Sequence, residues 1–254
     1  MNSTKQNSEF RQGLVSVSFR QHTPREILEA MRTAGLSCIE WGSDVHAPCR
    51  DAVRLSELVA LQNEYGIECS SYGTYFRLGE TSLEELTDYI AAAKRLGTDV
   101  LRLWCGRKSG ADFTEDEKSA LLEQCKEAAS IAEANGVTLC MECHKKTFTE
   151  RCEDAVWLMQ AVNSPHFRMY WQPFQWLEPQ ENLQIAKALA PYAVHLHVFN
   201  WRGEEKLPLA DAIDTWKTYL SVFPTPRTLL LEFMPDGKLE TLCREADALR
   251  CIAK

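Results

Sequence analysis

Short β-branched or aromatic runs alternate along the chain with longer stretches whose apolar residues recur at helical spacing. Residues 13–19 (GLVSVSF) read as a first strand. A helix follows that Thr23 can cap, with Pro24 in its first turn and Gly35 as its stop. The same unit recurs. Residues 38–41 predict the second strand and 55–65 its helix, closed by Gly66; residues 67–72 predict the third strand. A helix over 82–96 opens on Ser82 and Glu85, spaced as a capping box, and stops at Gly97. Residues 100–104 predict the fourth strand and about 114–134 the fourth helix, with Asn135-Gly136 after it. Residues 137–142 (VTLCME) are almost continuously apolar, as suits a parallel strand covered on both faces. Strands over 167–171, 193–199 and 228–233 alternate with helices near 149–162, 178–190, 209–222 and 239–252.

Eight strands, each followed by a helix, admit a closed barrel or a doubly wound open sheet. A dinucleotide-binding sheet wants a Gly-x-Gly-x-x-Gly turn after its first strand. This chain has Phe19-Arg20-Gln21-His22-Thr23-Pro24 there, which favours a single α/β (β/α)8 barrel. The chain of 254 residues suits one such domain, and no Pro/Gly/Ser-rich linker, low-complexity tract or charge block divides it. The expected organisation is one barrel over residues 1–254, with 1–11 a flexible N-terminal extension.

Composition narrows the function. A net charge of −8 repels polyanions, so nucleic acid is not the expected partner and a small molecule is. Ten cysteines are too few for a disulfide scaffold and sit among apolar residues, so they read as reduced small hydrophobes in a cytoplasmic protein. The polar residues 1–11 contain no apolar core of a signal peptide, and no run is long enough to span a membrane.

Barrel active sites lie at the C-terminal ends of the strands. Those positions carry Glu40-Trp41, Tyr72, Trp104, Glu142-Cys143-His144, Gln172, His197 and Glu232. A carboxylate ending an apolar strand needs compensation, which a shared divalent cation supplies. Glu142, His197 and Glu232 therefore form the candidate metal set, with the Gln172 amide oxygen as a fourth ligand. Their oxygens and imidazole suit one Mn, Mg, Co or Zn ion. Around them, Tyr72 and Trp104 are candidate substrate contacts, with Trp41, Tyr75, Trp171, Trp176 and Trp201 as further aromatic surface for a sugar. His46, His144 and Lys145 are placed near the mouth, and Arg202 and Arg77 are candidates for a phosphate or a terminal hydroxyl. Strand alternation gives His195 the same face as His197, one layer deeper.

The motifs MECH around Glu142, YWQP at the sixth strand end, HLHVFNW around His197 and LLLEF around Glu232 resemble those of the xylose isomerase-like barrels. That group contains sugar isomerases and epimerases and also endonuclease IV, and the resemblance spans all eight units. It implies that Glu142, Gln172, His197 and Glu232 hold one divalent metal, and that Glu142 and Glu232 act as acid and base on the two faces of a sugar or sugar-phosphate carbon. The relatives carry an Asp where this chain has Gln172, and several carry a His where it has Gln175. A second class of answer is a non-catalytic or divergent sugar-binding barrel with a weakened metal site. An endonuclease IV-like DNA-repair enzyme is a remote third, since its three-metal cluster needs more His and Asp ligands. The exposed helix faces of such barrels admit a homodimer.

Overall fold

The computed structural model describes residues 10–223 and 228–254. Seven parallel strands come first: β1 (Gln12–Val15), β2 (Cys38–Gly42), β3 (Glu68–Leu78), β4 (Val100–Cys105), β5 (Thr138–Glu142), β6 (Phe167–Trp171) and β7 (Ala193–Val198). A small antiparallel hairpin, β8 (Trp201–Arg202) with β9 (Glu205–Lys206), intervenes before β10 (Thr228–Leu231). β1 pairs in parallel with both β2 and β10, so the eight long strands close into a barrel. Helices α1 (Pro24–Ala34), α2 (Ala52–Tyr65), α3 (Leu83–Leu96), α4 (Glu115–Asn135), α5 (Cys152–Val162), α6 (Pro179–Leu189), α7 (Ile213–Leu220) and α8 (Leu242–Ile252) surround it. Among the described residues no helix is long and apolar enough to cross a membrane.

The local signals act as their chemistry requires. Thr23 and Glu26 exchange reciprocal capping bonds, Pro24 opens α1, and Gly35 ends it at φ +70. Ser82 caps α3 through Glu84 N, and the reciprocal bond expected from Glu85 is not made. The first strand is shorter than 13–19, because residues 16–19 turn into a 3-10 helix. Two serine hydroxyls take over from the ladder there: Ser16 Oγ accepts from Gly42 N at 2.9 Å and Ser18 Oγ from Phe233 N at 2.8 Å. Phe10 and Arg11 are not a loose extension. Phe10 packs on the core and Arg11 O accepts from Leu229 N at 2.8 Å; residues 1–9 lie outside the described part.

Strand alternation divides the interior in two. Leu14, Ile39, Trp41, Leu101, Leu103, Met141, Trp171 and Leu196 point outward to the helices and form the main core. Val15, Cys38, Val100, Cys140, Tyr170 and Leu230 point inward and fill the barrel. The expected aromatic mouth is corrected by this parity. Trp41 donates its indole N–H to Gln62 on α2 at 2.9 Å. Tyr72 donates to Ala47 O at 2.5 Å and packs on Tyr89. Trp171 packs edge-on against Trp216 and Tyr219. All three belong to the helix layer because their neighbours Glu40, Ser71 and Gln172 take the inward positions. Cys140 and Cys143 form a Cys-x-x-Cys spacing, but Cys140 packs inside the barrel and Cys143 in the helix-facing core, and both are free.

Trp171→Ala is expected to cost about 3–5 kcal/mol in denaturant unfolding, the value for a buried aromatic truncation, without removing a ligand contact. A cost under about 1 kcal/mol would place Trp171 outside the core.

Candidate metal centre

The inward parity brings Glu40, Arg102, Trp104, Glu142, Gln172, His197 and Glu232 to the upper end of the barrel. His197 stands at the centre, fully buried. Its Nδ1 lies 3.6 Å from Glu142 Oε1, 3.5 Å from Glu232 Oε2 and 3.0 Å from Gln172 Oε1. Its Nε2 faces Glu40 Oε1 at 3.7 Å and has no hydrogen-bond partner. The Gln172 amide is fixed in orientation: its N–H group donates to Cys143 O at 3.0 Å, so the amide oxygen must face His197. Glu232 follows directly on β10, with its N–H donating to Val198 O at 3.0 Å. The next residue, Phe233, sits at φ +54, a conformation costly for a bulky side chain. Ser18 Oγ and the Trp201 ring hold it there, and the turn swings Glu232 over the barrel axis.

Arg102, two residues before Trp104 on β4, is missed when only the strand ends are read, and Glu40, though it stands at a strand end, is left out of the candidate metal set. Arg102, on β4, donates from Nη1 to Glu142 Oε2 at 2.6 Å and from Nε to Glu40 Oε1 at 2.9 Å. Trp104 donates its indole N–H to the same Glu142 oxygen at 2.6 Å. Ser71 donates to Glu40 Oε2 at 2.9 Å. Space for this network comes from Gly73, where a Cβ would fall 2.5 Å from Glu40 Oε1 and 2.9 Å from Arg102 Nη2. The signal in the sequence was one arginine inside the apolar run VLRLWC.

These contacts push the titrating groups apart. Burial works to raise Glu40 and Glu142, but Arg102 and His197 overcome it, bringing Glu40 to about 2 and holding Glu142 well below the usual carboxylate range. Burial wins at Glu232, assisted by the charge of Glu142, and lifts it to about 7 in the metal-free protein. Burial opposes charge on His197, yet Glu232, Glu142 and Glu40 raise it to about 10.

The other expected contacts divide. His144 and Lys145 line a cavity of about 250 Å³ at the mouth, together with Gln172, Trp176 and Trp201, so this cavity reaches the central cluster through Gln172. Trp104 is at the mouth, but as a donor to Glu142 packed against Tyr75 and His144. Arg202 is exposed and lines an adjoining cleft of about 240 Å³ with Asp211 and Thr215, which shares Trp176 and Trp201 with that cavity. His46 is not a mouth residue. It is buried under its loop, with Nε2 on His22 O at 3.1 Å and its ring against Trp41, and burial lowers its pKa. His195 lies inside the barrel one layer down, bonded through Nε2 to Ser70 O at 3.1 Å.

The donor set fits a divalent ion. Donors bound at about 2.1 Å stand roughly 3–3.4 Å apart around one ion, and three oxygens already lie 3.0–3.6 Å from His197 Nδ1. Among the described residues, Glu142, His197 and Glu232 are the one group whose ligand atoms all lie within 4.8 Å of each other. Glu40 behind Nε2 favours a proton on that nitrogen and leaves the Nδ1 lone pair for the metal.

The raised His197 stabilises the metal-free fold fully below 6.5, and that contribution is lost as pH rises through about 10. The lowered Glu40 stabilises it above 4.5, and that contribution is lost as pH falls through about 2. Melting of chelator-treated protein should therefore show these contributions at their joint maximum between 4.5 and 6.5. Because protons on His197 and Glu232 compete with the ion, the stabilisation produced by Mn²⁺ should be small at pH 5 and grow toward pH 8; a pH-independent shift would contradict this. Arg102→Met should destabilise by about 3–5 kcal/mol through two stranded carboxylates, and an unchanged denaturation midpoint would show that the pair is not needed.

The description "Xylose isomerase-like TIM barrel" belongs to the family model that matches residues 28–223. No curated protein matches by sequence. Solved structures do match in fold. The probable 3-DHS dehydratase AsbF of Bacillus anthracis superposes with a TM-score of 0.81 at 16% identity, over 94% of this chain and 98% of that one. A xylose isomerase-like barrel protein of Mycobacterium smegmatis in complex with magnesium gives 0.70 at 13%, over 100% and 99%. The D-psicose 3-epimerase of Clostridium cellulolyticum H10, with D-tagatose, gives 0.67 at 14%, over 94% and 97%. At such identities these likenesses show the fold, while the family model covers most of the chain: the protein belongs to the xylose isomerase-like TIM barrel family.

Proposed function

We propose that the protein is a divalent-metal-dependent isomerase or epimerase that moves a proton on a carbon beside a carbonyl in a small sugar or sugar phosphate. The observation that carries this reading is the pair Glu142 and Glu232, each about one donor spacing from His197 Nδ1 (3.6 and 3.5 Å) and biased in opposite electrostatic directions. Two carboxylates with environments that separate their pKa values are the usual arrangement of an acid and a base in one site. The presence of a D-psicose 3-epimerase on the same fold supports the reading.

Glu142 Oε1, Gln172 Oε1, His197 Nδ1 and Glu232 Oε2 would hold the ion, and their hard and borderline donors accept Mn²⁺, Mg²⁺, Co²⁺ or Zn²⁺. Bound there, the ion supplies Lewis-acid stabilisation of the negative charge that develops on the substrate oxygen. Gln172 brings no charge, which leaves the set one carboxylate short of its relatives and the ion more electrophilic. Glu232, lifted to about 7, can take or give a proton near neutral pH. Glu142 is pinned through Oε2 by Arg102 and Trp104, so Oε1 is the oxygen it would share between the ion and a substrate proton. Removal of the proton by one carboxylate and return by the other inverts the carbon; removal and return by the same one moves it between neighbouring carbons. His144 and Lys145 on the cavity wall bind substrate oxygens, and Trp176 offers a ring face.

Deuterium exchange from solvent into D-psicose, D-fructose and their 6-phosphates, followed by NMR with and without Mn²⁺, tests this. Glu232→Gln and Glu142→Gln should each lower exchange by about a hundredfold or more while circular dichroism stays native. Exchange that persists in either variant overturns the assignment.

A second reading has its own observation. Arg102 and protonated His197 offset Glu40 and Glu142 from within the chain, so a divergent sugar-binding barrel can hold together with no ion. Purified protein lacking stoichiometric divalent metal, and showing no melting shift with Mn²⁺, favours that reading.

A further inference from the structure

At the mouth of the barrel, Arg20 and Arg102 have carboxylate partners. Arg20 is paired with Asp44 at 2.5 Å, and Arg102 with Glu40 and Glu142. Arg77 is in no ion pair among the described residues. Its register partner across β3 and β4 is Trp104, so the two side chains share the mouth-facing side, and its guanidinium carbon lies 4.6 Å from the Trp104 ring centroid. Nη1 donates to Gly106 O at 2.6 Å, which fixes the head group and leaves Nη2 and Nε without a hydrogen-bond partner among the described residues. The nearby Arg107 has its own acid, Glu80, at 3.0 Å. Arg77 is half-buried, and burial together with Arg107 lowers its pKa. A guanidinium that is desolvated, stacked and anchored at one nitrogen, with its remaining fork open, is arranged to receive a planar or multi-oxygen anion.

We infer that Arg77 is an anion-recognition residue, so that the substrate carries a carboxylate or phosphate held on the rim while its reacting carbon lies at Glu142 and Glu232. The inference rests on the proposed isomerase reading for the second half of that statement and on Arg77 alone for the first. Trp104 joins the two places, stacking on Arg77 with its face and bonding Glu142 with its indole N–H. An anion docked on Arg77 is thereby set at a fixed distance from the acid and base. The arginine acts on binding and registration and takes no part in proton transfer.

The test separates the two halves. Wild type, Arg77→Met, which keeps the stem over Trp104, and Arg77→Lys are titrated with inorganic phosphate and with malonate by calorimetry, after melting curves confirm folding. Wild type should bind at least one of the two, with Arg77→Met weaker by roughly tenfold or more and Arg77→Lys in between. Preference for phosphate or for malonate identifies the anion. Equal affinity in wild type and Arg77→Met, or no binding of either anion, overturns the inference. Arg77-dependent anion binding in a protein that exchanges no substrate proton upholds the anion site and overturns the isomerase reading. Exchange into a sugar phosphate or sugar acid that is the same in wild type and Arg77→Met upholds that reading and overturns the anion site.

Discussion

The bridge that Arg102 makes between Glu40 and Glu142 is the constraint on which the upper barrel depends. Three carboxylates and an imidazole crowd the axis within a few ångströms. Removed from water, such a group is unstable unless its charges are balanced and its hydrogen bonds made. Arg102 balances one charge and engages two of the carboxylates at once, and Gly73 exists where a side chain would push it away. What remains is a net deficit of positive charge that either two protons or one divalent ion can fill. The fold is thus compatible with both states, and the choice between them is a matter of pH and metal supply.

That balance also gives the two carboxylates proposed as acid and base different characters. Glu142 receives two strong donors on one oxygen and stays ionised, whereas Glu232 meets its nearest cation, His197, only at 3.5 Å and sits on a strained turn at Phe233. The asymmetry arises from the scaffold: β4 carries an arginine at the level of Glu142 and no strand carries one at the level of Glu232. Divergent pKa values in one site follow from which neighbouring strand supplies a cation.

Much of this was legible in the sequence, because the barrel repeats one simple unit. Gly35, Gly66, Gly97 and Gly136 each end a helix at positive φ, as their spacing predicts. The strand ends at 142, 172, 197 and 232 converge, since parallel strands of one barrel bring equivalent positions to one rim. The misreadings share a cause. Trp41, Tyr72 and Trp171 also lie at strand ends, but each is one residue out of phase with Glu40, Ser71 and Gln172, and the period of two sends it to the helices. Counting parity from Glu142 would have found this, and would have flagged Arg102 as an inward-facing cation. The β8–β9 hairpin was not legible: four paired residues are too few to make a periodic signal, and its position follows from packing on Phe233.

In the proposed metal site, one ion replaces the protons of this self-balanced cluster. Anomalous diffraction at the manganese edge, from crystals grown at neutral to mildly alkaline pH with Mn²⁺, tests it most directly. The expected result is a single strong peak in contact with Glu142, Gln172, His197 and Glu232, with Arg102 still on Glu142 and Glu40. A barrel centre without anomalous signal, or a peak whose ligands exclude His197, would contradict it.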